Sequence, residues 1–338
     1  MKKNYLLLII CTLTALLLAG CTANKKEEVD EVDQVENMVT TENGKEAVEA
    51  TESVDAQVDV ASTESSWKVI MESQMFQDSN FEGFLNENFG ISVGYAGAVS
   101  YTEDGAKTWT KGENSSMCRF CLDIVDENLA WCGGNGNNVR VTKDGGKTWS
   151  AVSDAVLSST HSNIDFLDDT TGWISSGKVC MTTHDGGTTW TELDLPKEIG
   201  NIGALAIRTD SNGYILSNSG LLFVTSDGGA TWTQKDTGMA DLGIINEKGE
   251  PGLYKYKTTT ADMNFYDEKN GTIVFSGLVP GEGTKLWSMV TQDGGDSWTT
   301  EEIPVKDGFN INKVYLSGDG KYLTIGSITK EVMLMTQK

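Results

Sequence analysis

An eight-residue phrase returns five times in this chain, and a fixed repeat restricts a fold more than any other feature of a sequence. The copies are TEDGAKTW (Thr102–Trp109), TKDGGKTW (Thr142–Trp149), THDGGTTW (Thr183–Trp190), TSDGGATW (Thr225–Trp232) and TQDGGDSW (Thr291–Trp298). The first four begin 40, 41 and 42 residues apart, and the fifth follows after 66. Alternating apolar runs such as NVRV and LLFV precede the copies, and a short extended run follows each. The pattern is a hairpin that turns on Asp-Gly-Gly or Asp-Gly-Ala. Glycine supplies the positive φ of the turn, and the Asp carboxylate accepts backbone N–H groups within it. The Trp opens the next strand and folds its ring back over the turn. Asp104, Trp109, Asp144, Trp149, Asp185, Trp190, Asp227, Trp232, Asp293 and Trp298 are therefore read as architecture, not as catalytic groups.

Upstream of each hairpin lies a second pair of strand-like runs around a turn rich in Asp, Asn or Gly, as in CLDIVDENLAWCGG and IDFLDDTTGWISSG. Together they make a four-stranded unit of about 40 residues, the size of a propeller blade. Val314–Lys338 supplies three strands and stops where a sixth phrase would begin, while Ser65–Met71 supplies a Trp and a strand with no phrase before it. Sharing one blade between the chain ends closes the ring and leaves no free sheet at either end. The expectation is an all-β, six-bladed β-propeller, with a seventh, degenerate blade as the alternative. The long spacing before the fifth phrase holds an insertion, Gly238–Ala261, expected to be a loop or hairpin.

The phrase resembles the Asp-box, or bacterial neuraminidase repeat, S/T-x-D-x-G-x-x-W, over about residues 67–338. In proteins with this repeat the box joins the third and fourth strands of a blade and lies on the face opposite the usual active site. One branch of the resemblance is the sialidases, which hold a substrate carboxylate with three arginines, one of them in an Arg-Ile-Pro motif. This chain has no Arg-Ile-Pro, and its only arginines are Arg119, Arg140 and Arg208. Of these, only Arg119 falls on the expected ligand face. The other branch is the photosystem II assembly-factor-like propellers, which are binding scaffolds, usually of seven blades. Their blade pattern is matched by FLDDTTGWISSGKVCMTTHDGGTTW, Phe166–Trp190.

The amino terminus, MKKNYLLLIICTLTALLLAGC, has two lysines, an apolar core and Leu18-Ala19-Gly20-Cys21. It reads as a secretory signal over residues 1–20 and resembles a bacterial lipobox, which makes Cys21 the lipidated first residue. Residues 21–66 follow as an acidic linker, with 13 carboxylates against 3 lysines from residue 22 onward and no aromatic before Trp67. Such a stretch buries too little apolar surface to fold alone. The propeller occupies residues 67–338. The expected location is outside the cytoplasmic membrane, on its outer face. With a net charge of −23, the chain repels nucleic acid and anionic headgroups, so the lipid and not a basic patch makes the anchor.

Four cysteines remain after the leader and Cys21: Cys118, Cys121, Cys132 and Cys180. A single CxxC with only His161 and His184 in the whole chain does not make a zinc site. A structural disulfide is expected instead, from Cys118 or Cys121 to Cys132, if the hairpin turns at Asp126–Asn128. Cys180 reads as a small core residue.

Function is sought on the loops opposite the boxes, Gly277–Lys285 among them, because loops on a rigid scaffold carry recognition. Arg119, His161, Tyr254 and Tyr256 are the candidate ligand-face residues. Carboxylates expected within reach are Glu113, Asp154, Asp241, Glu247, Glu250, Glu282, Asp307 and Glu331, but no spacing selects a catalytic pair among them. There is no G-x-S-x-G elbow and no phosphate loop. The reading is a non-catalytic, monomeric propeller without cofactor or metal that binds an envelope protein. A glycan binder or a glycoside hydrolase other than a sialidase is the alternative.

Overall fold

The structure is a computed structural model. It describes residues 65–76, 78–113, 119–134, 139–152, 157, 162–244 and 261–338, without the side chains of Ala96, Arg119 and Phe120. All of these fall in the compact unit Ala61–Lys338.

Six four-stranded antiparallel sheets follow one another along the described chain. The outer strand of the last sheet comes first, as β1 (Trp67–Gln74). Blade one is β2 (Ser79–Phe84), β3 (Gly90–Gly94), β4 (Val99–Thr102) and β5 (Thr110–Lys111). Blade two is β6 (Arg119–Ile124), β7 (Ala130–Gly134), β8 (Val139–Thr142) and β9 (Ser150–Ala151). Blade three is β10 (Asn163–Phe166), β11 (Gly172–Ser176), β12 (Val179–Thr183) and β13 (Thr191–Glu192). Blade four is β14 (Ile202–Ile207), β15 (Gly213–Ser217), β16 (Leu221–Thr225) and β17 (Thr233–Asp236). Blade five is β18 (Ala261–Phe265), β19 (Gly271–Val279), β20 (Gly283–Thr291) and β21 (Thr299–Ile303). Blade six is β22 (Ile311–Leu316), β23 (Tyr322–Ser327) and β24 (Glu331–Gln337), completed by β1 in the register Trp67↔Gln337 to Gln74↔Glu331. The chain ends therefore share a blade, and the blades number six.

The boxes explain the hairpins. In the second box, Thr142 Oγ1 donates to Asp144 Oδ1 at 2.8 Å and accepts the Gly146 N–H at 2.9 Å. Asp144 in turn accepts the Thr148 N–H and hydroxyl at 2.8 and 2.6 Å. The Trp149 indole N–H closes the turn on Gly146 O at 3.2 Å, as Trp190 and Trp232 do on Gly187 and Gly229 at 3.0 and 3.1 Å. Such bonds favour the ionised acid: those from Thr231 and Ser297 pull Asp227 and Asp293 down to about 2. The first box glycine also ties its turn to the turn between the blade's first two strands, Gly145 N to Asn128 O and Gly186 N to Thr170 O, both at 2.8 Å.

The apolar core is not one mass but a set of clusters between successive blades. Trp131 of blade two stacks on Phe166 of blade three at 3.7 Å between centroids, and Tyr214 of blade four on Phe265 of blade five at 3.5 Å. The outer strands contribute a second contact. The residue three places after each Trp leans on the box of the next blade. Gly112 lies against Gly146 O, while Val152, Leu193 and Lys235 lie 2.9, 3.0 and 3.6 Å from where a Cβ on Gly187, Gly229 and Gly295 would sit. Glycine at those positions answers both to its left-handed φ and to this close approach.

Candidate functional site: the closed channel and the face opposite the boxes

The innermost strands bring three acids into the middle of the ring, and each is occupied. Asp123 Oδ2 accepts the Phe166 N–H at 2.8 Å, Asp165 Oδ2 the Ile207 N–H at 2.6 Å, and Asp262 Oδ2 the Leu316 N–H at 2.7 Å. Each bond runs from one blade to the next. Tyr315 Oη accepts the Ile124 N–H at 3.1 Å, reaching across blade one where Gly83 leaves room for its ring. The three carboxylates are half-buried. Burial, and then the neighbouring Asp165, push Asp123 well above the usual carboxylate range, and burial raises Asp165 and Asp262 to about 7. Chemically they are staples that satisfy buried backbone donors. Phe81, Leu122, Ile164, Leu205 and Val314 narrow the centre of the ring, with Asp262, Ser162 and Asn163, to a pocket of about 30 Å³, room for about one water.

The face opposite the boxes is built up most at blades four and five. The run Gly277–Lys285, expected to be a loop, is instead the top of a long hairpin, since β19 and β20 are nine residues each and pair down to Val279↔Gly283. The reason is local. Gly281 and Gly283 at φ 84° and 92° compress the reversal into Pro280–Glu282, so the ladder continues through Gly277 and Leu278. Lys285 holds the hairpin to its outer neighbour through Glu282 and Glu302 at 2.7 and 3.0 Å. The insertion begins as a short 3-10 turn, Met239–Leu242. Met239 packs on Gly220, and Ile244 packs on Gly277 beside Trp287. The insertion is thereby rooted in the core of blades four and five before residues 245–260.

Of the residues singled out from sequence, Cys21, His161, Tyr254 and Tyr256 lie outside the described residues, as do Cys118, Asp154, Glu247, Glu250 and the side chain of Arg119. Arg140 sits in β8, and Arg208 follows β14 toward the boxes, 4.0 Å from Glu268. Glu282 and Glu331 are in ion pairs with Lys285 and Lys306. The backbone of Glu113 is not on the expected ligand face; it donates to Lys147 O in the second box.

The expected bridge between Cys121 and Cys132 is corrected. The register sets Cys121 opposite Gly133 and Leu122 opposite Cys132. A one-residue offset puts the two sulfurs on opposite faces of the sheet. Cys121 packs toward blade three and Cys132 toward blade one, both buried, and no bond joins them. Cys180 is fully buried in the core between blades three and four.

Sequence reasoning passed over the seam where blade six meets blade one. There Glu82 is buried and raised to about 7 by that burial. Its Oε1 accepts the Phe76 N–H at 2.6 Å, and its Oε2 meets no partner. Lys313, also buried, lies 4.5 Å over the Phe81 ring and is lowered to about 7 by the loss of water. The signal was available in alignment: the place of Glu82 is taken by Leu122, Ile164, Leu205, Met263 and Val314 in the other blades. Two of the three non-glycine residues with positive φ, Asp78 and Lys330, also meet here; Lys330 Nζ donates to Ser79 O at 2.6 Å and lies near the exposed Tyr95.

Comparison with known proteins agrees with this architecture. Residues 153–240 match the family described as photosynthesis system II assembly factor YCF48. No curated protein matches the chain. Among solved structures, YCF48 bound to D1 peptide is 17% identical, with a TM-score of 0.50 over 81% of this chain and 98% of its own. YCF48 from Cyanidioschyzon merolae is also 17% identical, with a TM-score of 0.47 over 81% of this chain and 99% of its own. The WD40 β-propeller domain of Doa1 is 11% identical, at 0.49 over 80% and 97%. The chain is thus a six-bladed β-propeller whose residues 153–240 are similar to the photosystem II assembly factor family.

Proposed function

We propose that this propeller is a non-catalytic binding platform, carried outside the cytoplasmic membrane on a lipidated Cys21, and that it holds a protein of the cell envelope. The observation that carries the reading is the narrow centre of the ring. The acids there are half-buried and engaged by backbone amides, and the pocket among the inner strands holds only about 30 Å³. The likeness to a YCF48 propeller bound to a peptide supports a polypeptide as the ligand class. The binding face is taken to be the one opposite the boxes, centred on the blade-five hairpin and the rooted insertion, where the scaffold departs most from its repeat.

Cross-linking and capture from the native envelope, with the full lipidated chain as bait, tests this. One dominant protein, lost when residues 245–260 are deleted, is the expected result. Recovery of wall glycan in its place would overturn the reading in favour of a carbohydrate ligand. Metabolic labelling with an alkyne fatty acid tests the anchor: label is expected on the chain and absent from Cys21→Ala.

A further inference from the structure

The ring has a gap in its repeat on the box side. At four junctions the residue three places after the Trp leans on the next box. Counted from Trp67, the corresponding residue in β1 is Ile70, and the next box is the first. Here a groove lies between the two. Ile70 is bulged out of the β1–β24 ladder, 38% exposed, and separated from the box by a groove of about 410 Å³. The groove is lined by Ile70, Met71 and Ser73 of β1 on one side and by Asn88 and the box turn on the other. The first box is also the one that carries Ala106 where the others have their second glycine, with φ 62° and a Cβ that would crowd its neighbours at Gly187, Gly229 and Gly295.

Three more features bear on what belongs there. β1 is the edge of its sheet and is eight residues long, against two in β5, β9 and β13, so it offers a row of unpaired backbone groups. Ser73 Oγ is enclosed beside the groove without a hydrogen-bond partner among the described residues. The rim is acidic, with Glu72, Glu87 and Asp104, and it continues past Asn88 into a notch of about 240 Å³ that adds Glu103, Glu127 and Asp144. Lys107 and Lys147 are the bases lining the two.

We propose that this groove receives an extended segment of a partner protein, bearing lysine or arginine, which adds to β1 as a further strand. An exposed edge supplies main-chain hydrogen bonds, a side chain of the incoming strand fills the space at Ile70 and Ala106, and its cations meet the acidic rim. The groove's size is within the roughly 300–1,000 Å³ typical of binding sites. This surface lies on the box side and is separate from the face assigned to the envelope partner, so either assignment can fail without the other.

The test uses the full chain in detergent and a fluorescein-labelled octapeptide of alternating lysine and valine, followed by anisotropy at low salt. Saturable binding is expected, with hydrogen-exchange protection gained in Met71–Gln74. Charge reversal on the rim, Glu87→Lys with Glu103→Lys, weakens binding about tenfold, and Ile70→Lys weakens it in the same direction. The same reversal at the outer edge of blade three, Glu192→Lys with Glu198→Lys, leaves it unchanged. An equal loss in that control means that the peptide senses bulk charge and overturns the proposal. So does equal binding of a glutamate–valine octapeptide, protection confined to the face opposite the boxes, or a peptide-independent dimer that protects β1.

Discussion

At the junction of blades two and three, the Trp131 and Phe166 rings stack, Ile164 and Ile174 are buried beside them, and Val152 closes the outer edge against the next box. At the junction of blades six and one, the buried groups include a carboxylate, an ammonium and a phenol, Thr324 Oγ1 accepts the Phe84 N–H at 3.1 Å, and the outer edge is open. The first kind of junction joins segments that are consecutive in the chain, and apolar contact there is accompanied by a single carboxylate staple, Asp123 on the Phe166 N–H. The second joins segments more than two hundred residues apart, and polar partners specify the register there. Apolar surface is indifferent to a small slip; a buried donor left without its acceptor is not. The difference teaches that the repeat supplies stability while its interruption supplies specificity, and leaves surface free for other use.

The largest effect is expected at a regular junction. Trp131→Ala removes a fully enclosed stacked ring and should cost about 3–5 kcal/mol in urea unfolding. A loss below about 1 kcal/mol would mean that the interblade clusters do not carry the stability assigned to them.

Next comes pH. Asp123, Asp165, Asp262 and Glu82 have folded pKa values raised by burial, so the folded state holds protons that the unfolded chain has lost. Their contribution is complete below about pH 4, where both states are protonated, and declines as pH rises toward 7. Lys313 has the opposite sign: lowered to about 7, it adds stability between pH 7 and its ordinary value near 10.5. Thermal unfolding from pH 4.5 to 9 should therefore show a falling Tm that reaches its minimum near neutrality. Glu82→Gln should raise Tm at pH 7.5 and leave it unchanged at pH 4.5. A profile that rises from pH 4.5 to 7 would contradict the assignment of buried acids to ring and seam alike.

The boxes allow a smaller, sharper contrast. Gly187→Ala places a Cβ 2.9 Å from Val152 at φ 79° and should destabilise by about 1–3 kcal/mol. Ala106→Gly, in the box that faces the groove, should change stability by less than about 1 kcal/mol, because it relieves a left-handed alanine while freeing the unfolded chain. Equal costs at the two boxes would erase the distinction between plugged and open junctions.

The sequence made the blades legible because a single phrase carries turn chemistry, strand start and anchor together; Thr142, Asp144, Gly146 and Trp149 need only one another. Blade count and closure followed from spacing and from Trp67 standing without a box. Features that depend on register were lost. Cys121 and Cys132 missed each other by one residue, an offset that the length of the turn between their strands sets. Gly277–Lys285 looked like a loop because its Gly and Pro content does not distinguish a short reversal from a long one. The seam stayed hidden for a related reason: Glu82 and Lys313 are ordinary surface residue types, and only the ring brings them inside.

The shared blade also sets an order of events during synthesis. Trp67 is among the first residues of the propeller to leave the ribosome, yet its strand pairs with Glu331–Gln337, the last. A side chain that ends 3% exposed therefore waits for partners in blades five and six, such as Val274 and Met335. Closure is a long-range step of the kind that slows folding and exposes unpaired edges. The ring is thus committed only when the whole polypeptide is present, and a chain cut short within β24 has blades but no lock.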